Sequence, residues 1–499
     1  MTQLFLSGRR QVAGSRIPTG FWRWPAVGFR QWLAAGFRRQ WPVAIHLSQQ
    51  KPKQEMMGLE AVGDLALHTI LSKLEAEDSA RAACVSKKLR ASASEDSLWS
   101  HFCARDLDLS QPLDPHGNLT PSFKESYQLW RAAFNMYPWS LVKRVKKCWD
   151  KLRNWLTINF PEAESTLNKG ASEADIQELE KILKVKLPLP TRILYRFHDG
   201  QDFEDKHFQN SLVGCPLGII GGYSFYNHLV TVYLLPLRQV ISETKEIIPK
   251  LGFPVRSKYV VVAASCTYSE KCFFLNCTSG QLYVGTGNLL ADEEMLPCVP
   301  NALISSVHDC SVDQQQDAML LWLEEHGRRL ENGIIKLRQE ENFRSISQFP
   351  EESPLCSTAI TNGVKVRASA VFVPEQANLQ HTSQKYLFAY SIRMSLLPEG
   401  CIVNGMTFSS CQLHWRHWII RAKDAVIADV NGEAVVGQYP LLHPGDSEFV
   451  YESGTPLPFS SGSIEGSFAF IPGSLREPKG GPFDVAVAQF PLQVPDYIF

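Results

Sequence analysis

The sequence predicts a multidomain α+β protein with a helical N-terminal module, a central α+β domain and a C-terminal all-β sandwich. Apolar residues are spaced for three short helices between residues 63 and 102, and helical and strand patterns alternate through the middle of the chain. From Tyr386 to Phe490, apolar residues alternate with polar or small ones, which is the pattern of half-buried strands. A chain of 499 residues is expected to hold roughly two to four domains.

Composition and cysteine spacing exclude several classes of protein. Hydrophobic residues make up 44% and charged residues 20%, as in an ordinary globular protein, and no apolar run reaches the roughly 18 residues of a spanning helix. The twelve cysteines are scattered, without a Cys-x-x-Cys pair, which argues against a zinc site and for reduced thiols inside the cell. We therefore expect a protein of the cytoplasm or nucleus that binds no membrane, metal or cofactor.

The first 56 residues differ in charge from the rest of the chain. They contain seven Arg and two Lys against one acidic residue, a net charge of +8, while the remaining 443 residues carry −9. The acidic body does not favour a nucleic-acid surface. The leader, with four tryptophans among its arginines, is either an organelle-targeting peptide or an upstream extension before Met56 or Met57. We favour the extension and expect residues 1–56 to be disordered.

The N-terminal module is predicted over residues 57–105. Leu67, Ile70, Leu71 and Leu74 lie on one face of a first helix. Asp78-Ser79 is a plausible N-cap for a second helix that carries Val85 and Leu89, and Ser94 can open a third that carries Leu98, Trp99 and Phe102. A segment this small buries little core, so it is expected to need a partner.

This module resembles an F-box in the order of its motifs. The matching segments are Val62-Gly63-Asp64, Ile70 to Leu74, Val85 to Arg90 and Leu98-Trp99. Gly63 replaces the usual proline, and Leu89 stands where a tryptophan is common. The resemblance implies docking on the Skp adaptor of cullin-based ubiquitin ligases, and the predicted contact residues are Leu67, Ile70, Leu71, Val85, Leu89, Leu98 and Trp99.

Residues 106–169 are predicted to form a helical connector. Ser122-x-x-Glu125 is a capping box for one helix, and a second amphipathic helix follows Pro138. The basic run Lys143 to Lys147 lies in this second helix. It is either a nuclear signal or a solvated helix face, and the face is favoured because Val145 keeps the period of the core.

The central domain is predicted over residues 170–300. A helix opened by Ser172-x-x-Asp175 is followed by Leu187-Pro188, Leu194 to Gly200 and Leu217 to Tyr223, an order that resembles the SUKH (Smi/Knr-like) family. The resemblance implies an α+β fold. Leu229 to Leu237, Tyr259 to Ala263 and Cys272 to Leu275 are predicted strands of its sheet.

A helical linker is predicted over residues 301–350 and a sandwich over 351–499. Asp313 to Leu330 has a helical pattern, and Ser347 to Pro354 is expected to link the two domains. In the sandwich, Asn431-Gly432 suits a tight hairpin. The strand succession from Lys385 to Met394 onward resembles the ApaG family, which implies a fibronectin-III-like fold.

Few residues predict catalysis. No nucleophile elbow, P-loop, His-Glu-x-x-His or dinucleotide motif is present. His198-Asp199 is interpreted as a helix end, with Gly200 as its C′ residue. His414 and His417 are spaced to face opposite sides of a strand, so they could share a metal only at a bulge.

Two glycine-containing segments are candidates for phosphate binding. Many bacterial ApaG proteins carry a Gly-x-Gly-x-x-Gly stretch where this chain has residues 431–437, and here Glu433 and Ala434 disfavour a phosphate ligand. Gly285-Thr286-Gly287 is interpreted as a turn.

The order F-box, SUKH, ApaG resembles that of F-box proteins known in plants and animals. It implies a non-catalytic subunit that brings an unknown target protein to a Skp-cullin-F-box ligase. The alternatives are a scaffold that binds no adaptor and a phosphate- or nucleotide-binding protein built on the sandwich. Trp418 and Tyr439 are possible target contacts, although each is also typical of a core or edge aromatic residue.

Overall fold

Four short helices form the N-terminal module. They are α1 Asp64–Ser72, α2 Ala76–Ala82, α3 Lys87–Ser92 and α4 Asp96–Leu107. The computed structural model describes residues 62–202, 217–225, 228–254, 257–265, 271–289, 294–304, 315–340, 343–423 and 425–499. The predicted leader 1–56 lies outside these residues, and residues 62–499 belong to one unit.

The predicted second helix of the module is two helices. Ser86 accepts a hydrogen bond from the amide of Leu89 and so opens α3 as its N-cap. The prediction that Asp78-Ser79 caps α2 is wrong, because α2 begins at Ala76 and the hydroxyl of Ser79 donates to the carbonyl of Leu71 at 3.0 Å. The third predicted helix, α4, has Glu95 rather than Ser94 at its N-cap.

The connector continues as helices, as predicted. It contains α5 Phe123–Ala133, α6 Trp139–Asn159 and the short α7 Pro161–Glu164. Ser122 caps α5 by accepting from the amide of Glu125, and Pro138 is the N-cap of α6. Val145 is fully buried, so its core period is confirmed. The predicted solvated face is wrong for most of the basic run, because Lys146 is buried and Lys143 and Arg144 are half-buried in ion pairs.

Among the described residues of the central domain, a mixed sheet of eight strands packs with four α-helices. The sequence-predicted capping box of Ser172 and Asp175 opens α8. The helices are α8 Glu173–Leu183, α9 Leu189–Phe197, α10 Leu237–Lys250 and α11 Ala318–Glu331. The strands are β1 Gly221–Phe225, β2 His228–Leu234, β3 Tyr259–Ser265, β4 Cys272–Asn276, β5 Leu282–Gly285, β6 Met295–Pro297, β7 Lys336–Glu340 and β8 Phe343–Ser347.

The sheet includes part of the segment predicted as a helical linker. Its strand order is β6-β5-β4-β3-β2-β1-β8-β7, and neighbouring strands are antiparallel except β1 and β8. The prediction for residues 301–350 holds for α11 and is wrong for 336–347, which form the β7–β8 hairpin. This hairpin joins the sheet because Gly222 on β1 pairs in parallel with Ser347, a contact 125 residues away that local pattern cannot reveal.

The C-terminal residues form the predicted sandwich. A four-stranded sheet of order β17-β11-β10-β9 faces a five-stranded sheet. The second sheet has the order β15-β14-β18-β19, and its fifth strand, β16, also pairs with β14. Strands β12 and β13 form a small separate hairpin. Tyr390 contacts Trp418 and Phe490 between the two sheets. The strands are β9 Cys356–Thr361, β10 Val364–Phe372, β11 Tyr386–Leu396, β12 Cys401–Val403, β13 Met406–Phe408, β14 Cys411–Ala422, β15 Ala425–Glu433, β16 Leu441–Leu442, β17 Phe449–Leu457, β18 Ser461–Pro472 and β19 Phe483–Gln493.

The predicted Asn431-Gly432 hairpin is wrong. Both residues lie inside β15, where Asn431 pairs with His417 and Gly432 with Arg416 on β14. The chain turns after β15 instead, where Ala434, Val436 and Gly437 have positive φ angles. An Asn-Gly pair is a strong local turn signal, but pairing with a central strand overrides it here.

Candidate functional site

Five of the seven predicted adaptor contacts lie inside the N-terminal module. Leu67, Leu71, Leu89, Leu98 and Trp99 are at most 5% exposed. The indole of Trp99 donates to the carbonyl of Ala93 at 2.8 Å, and its ring makes edge contacts with Phe102 and Tyr127. These side chains therefore hold α1–α4 together and pack the module against α5.

The other two predicted contacts are exposed. Ile70 is 40% and Val85 is 75% exposed, and Leu65 and Leu74 nearby are exposed as well. Four exposed large apolar side chains on one small module are candidates for a protein-binding surface. We call Leu65, Ile70, Leu74 and Val85 the apolar surface of the module.

The seven predicted contacts thus divide by burial. The five buried residues present no surface in this conformation, because their side chains fill the interior of the module, so a direct adaptor contact by them would require the helices to open. Ile70 and Val85 are accessible as they stand. Adaptor binding by all seven residues stays a prediction. In this structure the exposed residues of the apolar surface are better placed to contact an adaptor than the buried Trp99.

A buried carboxylate joins the module to the connector. Asp106 at the end of α4 accepts hydrogen bonds from Arg105 Nε and from the hydroxyl of Tyr127, both at 2.9 Å, and lies 3.6 Å from Lys143. Burial alone would raise the pKa of Asp106, but the hydrogen bonds from Arg105 and Tyr127 outweigh it and lower the pKa. The carboxylate of Asp106 therefore joins helices α4, α5 and α6 through hydrogen bonds and an ion pair.

A second buried charge cluster joins the central domain to the sandwich. The carboxylate of Glu351 lies 3.0 Å from Arg338 on β7, 3.1 Å from Arg367 on β10 and 2.6 Å from Arg393 on β11. Arg338 also pairs with Glu452 on β17 at 3.1 Å. Burial opposes ionisation of Glu351, yet the nearby arginines lower its pKa, so the segment predicted as a linker is a charged, buried joint.

A third cluster holds the last residues of the chain against the central domain. The fully buried ammonium of Lys271 donates to the hydroxyl of Tyr223 at 2.9 Å and to the main-chain oxygen of Phe499 at 2.5 Å. Tyr223 donates in turn to Glu375 at 2.7 Å, and the ring of Phe499 stacks on Trp322. A cleft of about 430 Å³ opens beside these residues, between the two domains.

His198 and Asp199 make structural contacts at the end of α9. The Nδ1 atom of His198 lies 2.9 Å from the carbonyl oxygen of Asn168, and burial lowers the pKa of His198 to about 4. Asp199 accepts from the amide of Leu237 at 2.7 Å, at the first residue of α10. The interpretation of this pair as a structural helix end is confirmed.

The role predicted for Gly200 is wrong in its position. His198 is the C-cap of α9, so Gly200 lies two residues beyond it rather than at C′. Its φ angle of +61° and its close approach to another main chain still require glycine, because an added Cβ would lie 2.5 Å from the carbonyl carbon of Leu235.

His414 and His417 do not form a metal site with neighbouring residues. A bulge between Leu413 and Trp415 alters the strand at His414, while His417 pairs with Asp429 at 2.8 Å. Among the residues that the structure describes, no group of three His, Cys, Asp or Glu side chains could hold a metal ion. In the same residues, no helix is both long and apolar enough to cross a membrane.

The two glycine-containing segments have other contacts. Glu433 accepts from the hydroxyl of Tyr439 at 3.0 Å, and Ala434, which follows it with a φ of +61°, is buried. The amide of Gly287 donates to the carbonyl of Ala377 at 3.1 Å, so it already has an acceptor within the protein. Neither arrangement favours a phosphate ligand.

The helical module and the sandwich each match a known family. The model described as F-box-like matches residues 66–105, and the ApaG domain model matches residues 376–472. The chain belongs to the family of F-box proteins, and it carries an ApaG domain behind its F-box.

Among its relatives, it is 62% identical over 444 residues to F-box protein SKIP16 of Arabidopsis thaliana, across 89% of this chain and all of that protein. F-box only protein 3 of Homo sapiens is 25% identical over 448 residues, covering 88% of this chain and 84% of that protein. Protein ApaG of Nitrosomonas europaea is 34% identical over 132 residues, which is 26% of this chain and 91% of that protein. Among solved structures, the ApaA protein from Bordetella pertussis is 32% identical, covers 28% of this chain and 98% of that chain, and gives a TM-score of 0.23. The resemblance of the central domain to SUKH stays a prediction.

Sequence reasoning missed the residues that join the domains. Arg393 stands between Ile392 and Met394 as the charged residue of β11, and Lys271 stands directly before the apolar strand β4. A single charge in a buried strand is a usable signal, because it needs a partner of opposite charge. The partners, Glu351 and Glu375, come from other elements and cannot be identified from the local sequence.

Proposed function

We propose that this F-box protein is the substrate-recognition subunit of a Skp-cullin-F-box ubiquitin ligase. It docks on the Skp adaptor through the apolar surface of α1–α3 and holds target proteins with its central domain and ApaG sandwich. The observation that carries the proposal is that Leu65, Ile70, Leu74 and Val85 stay exposed although the module has its own filled interior. Burying such a side chain contributes about 1.5 to 3 kcal/mol, so four of them can support stable docking.

The way the helices are joined to the central domain supports a role in positioning. Arg144 on α6 makes a two-point contact with Glu324 on α11, at 2.8 and 2.6 Å. Together with the cluster around Asp106, this contact ties the docking module to the domains proposed to hold the target. A receptor of this kind performs no bond chemistry and acts by raising the local concentration of a target lysine near the ubiquitin-loaded enzyme. We place this work in the cytoplasm or nucleus.

The experiment that tests the proposal is a pull-down of the full chain with a purified Skp-cullin pair. The Ile70→Asp, Val85→Asp double variant places two charges on the apolar surface and is expected to abolish binding. Both side chains are exposed, so the variant should remain folded by circular dichroism, whereas Leu71→Asp would bury a charge and unfold the module.

The matched control is the Leu119→Asp, Ile158→Asp variant. Leu119 and Ile158 are 73% and 70% exposed in the connector, so this variant changes the same number of exposed apolar residues away from α1–α3. Binding equal to wild type is expected. If folded wild-type protein does not bind the adaptor, the chain is a scaffold and the ligase role is rejected.

A further inference from the structure

We propose that the outer edge of β15 is a docking site for an extended, basic segment of a partner protein. The segment would add one strand to the five-stranded sheet by main-chain hydrogen bonds. This inference rests on the proposed function, because the partner would be a target of the ligase. It concerns a surface in the sandwich, separate from the apolar surface of α1–α3.

Strand β15 is an uncovered edge. It lies at the end of the order β15-β14-β18-β19, and in the described part of the chain it pairs with β14 alone. Along its nine residues the side chains are mostly exposed. An edge strand presents unpaired amide and carbonyl groups, which are the groups that β-strand addition uses.

Two other edges of the sandwich, β19 and β17, are contacted by neighbouring elements or interrupted by proline. On β19, the amide of Ala486 donates to the hydroxyl of Thr361 and the carbonyl of Ala488 accepts from Ser357 on the facing sheet. Strand β17 contains Pro456 and contacts the central domain, where Glu452 accepts from Ser224. Proteins commonly protect edges with proline, lysine, a bulge or a covering element. Strand β15 contains neither proline nor lysine, and the register shift recorded in its pairing lies near its start, between the pairs Ile420–Ala428 and Arg421–Val426.

Apolar side chains flank this edge. Val426, Ile427 and Val430 of β15 are 51%, 41% and 38% exposed. Trp415 pairs with Glu433 across the β14–β15 ladder, and Tyr439 reaches the same carboxylate with its hydroxyl. Each of these two aromatic rings is more than a third exposed, so an added strand would find apolar and aromatic contacts on its side chains.

Charge decides which segment fits. Asp429 and Glu433 are the charged residues of β15, and both are exposed. Asp429 lies 2.8 Å from the Nε2 atom of His417. Residues 351–499 carry nine Lys and Arg against fourteen Asp and Glu, a net formal charge of −5. A basic segment is attracted to this edge, whereas a second copy of the same acidic strand is repelled.

The turn after β15 is strained in a way that keeps an apolar side chain outside. Val436 has a φ of +49°, a conformation that β-branched residues rarely adopt, and its side chain is 50% exposed. Such strain is found where a local shape serves binding. It places one more apolar contact at the end of the proposed docking edge.

The test uses the full chain and a synthetic ten-residue peptide that alternates Lys with Val and Tyr. Hydrogen exchange read by mass spectrometry should show new protection of the amides of residues 425–433, and fluorescence anisotropy should give the affinity. The same peptide with Glu in place of Lys should bind at least about tenfold more weakly. Two further peptides carry N-methyl groups on alternate amides, and only one of the two registers should lose binding, because a strand uses one of its edges in pairing.

The variant for this test is Asp429→Lys, Glu433→Lys, which should weaken binding of the basic peptide by about tenfold or more. The matched control, Glu399→Lys, Glu477→Lys, changes the net charge equally in other loops of the sandwich and should bind as wild type does. Absence of protection over 425–433, equal binding of the acidic peptide, or no effect of either N-methyl register would overturn the proposal. If the wild-type protein is a dimer and the Asp429→Lys, Glu433→Lys variant is a monomer, the edge is occupied by a second copy of the chain and not by a basic partner.

Adaptor binding is measured on the same variant so that the two proposals can fail separately. Asp429→Lys, Glu433→Lys should retain Skp-cullin binding, because the substitutions are outside α1–α3. Peptide binding at β15 without any adaptor binding would reject the ligase role and keep the docking edge. Adaptor binding without protection of β15 would keep the ligase role and reject the docking edge.

Discussion

Replacing Glu351 with glutamine removes one charge from the joint between the central domain and the sandwich. The carboxylate of Glu351 is 2% exposed and lies within 3.1 Å of three guanidinium groups, those of Arg338, Arg367 and Arg393. The side chains of Arg338 and Arg393 are only 10% and 6% exposed, so water cannot solvate the positive charges that Glu351 no longer neutralises. Glutamine keeps the shape of the residue but presents a neutral amide to the arginines.

The expected cost follows from the uncompensated charge. Removing one partner of a buried ion pair typically costs about 3 to 5 kcal/mol. We expect Glu351→Gln to lower the free energy of unfolding by about that amount, measured by urea denaturation. The increase in hydrogen exchange should be concentrated in β7, β10 and β11, which carry the three arginines of the joint.

The neighbouring residue supplies the control. The side chain of Glu352 is 59% exposed and lies 3.6 Å from Lys336, so Glu352→Gln should change stability by less than about 1 kcal/mol. A Glu351→Met, Arg393→Met double variant should recover part of the loss, because it removes opposite charges together. If Glu351→Gln unfolds within about 1 kcal/mol of wild type, the argument that this cluster holds the domains together is refuted.

Three further changes test other parts of the structure. Trp99→Ala should cost about 3 to 5 kcal/mol and unfold the N-terminal module in urea, whereas Val85→Ala, on the exposed surface, should leave stability within about 1 kcal/mol and weaken only adaptor binding. Burial lowers the pKa of His326 to about 4 from 6.5, so the unfolded chain binds a proton that the folded chain refuses, and stability from this residue is lost as pH falls below about 6.5. The free energy of unfolding, measured by urea denaturation, should fall by about 2 kcal/mol between about pH 7.5 and about pH 5, and His326→Gln should reduce this loss. Gly222→Ala would place a Cβ 1.6 Å from a main-chain oxygen and should prevent stable folding, while Gly481→Ala, with nothing within 4 Å, should melt like wild type.

Local pattern was a good guide where a structure depends on neighbouring residues. The caps at Ser122 and Ser172, the strand β11 and the helix α6 were all predicted, because each depends on hydrogen bonds or side-chain periods within a few residues. The same approach failed at Asn431-Gly432, where a strong turn signal lies inside a strand. It also failed at Asp78-Ser79, where a residue suited to capping uses its hydroxyl across the module.

The candidate docking site was predicted in part. Apolar periodicity and the resemblance to an F-box together predicted the seven contact residues, but neither could divide them into an interior and a surface. That division depends on where α4 and α5 pack, since the contacts of Trp99 with Tyr127 remove it from the surface. The edge β15 was not predicted, because whether a strand is central or terminal is a property of the whole sheet.

The sequence by itself determined the three-part order of the chain, the helical and strand character of each part, and the family motifs of its two ends, because these follow from short-range spacing. Tertiary structure alone decided that residues 336–347 complete the central sheet, that Glu351 and Lys271 are buried among partners from other domains, and that Ile70 and Val85 face outward. Each of these depends on contacts between residues far apart in the chain. Such contacts are selected by the burial of apolar surface and the pairing of buried charge when the domains pack, and no local pattern records them.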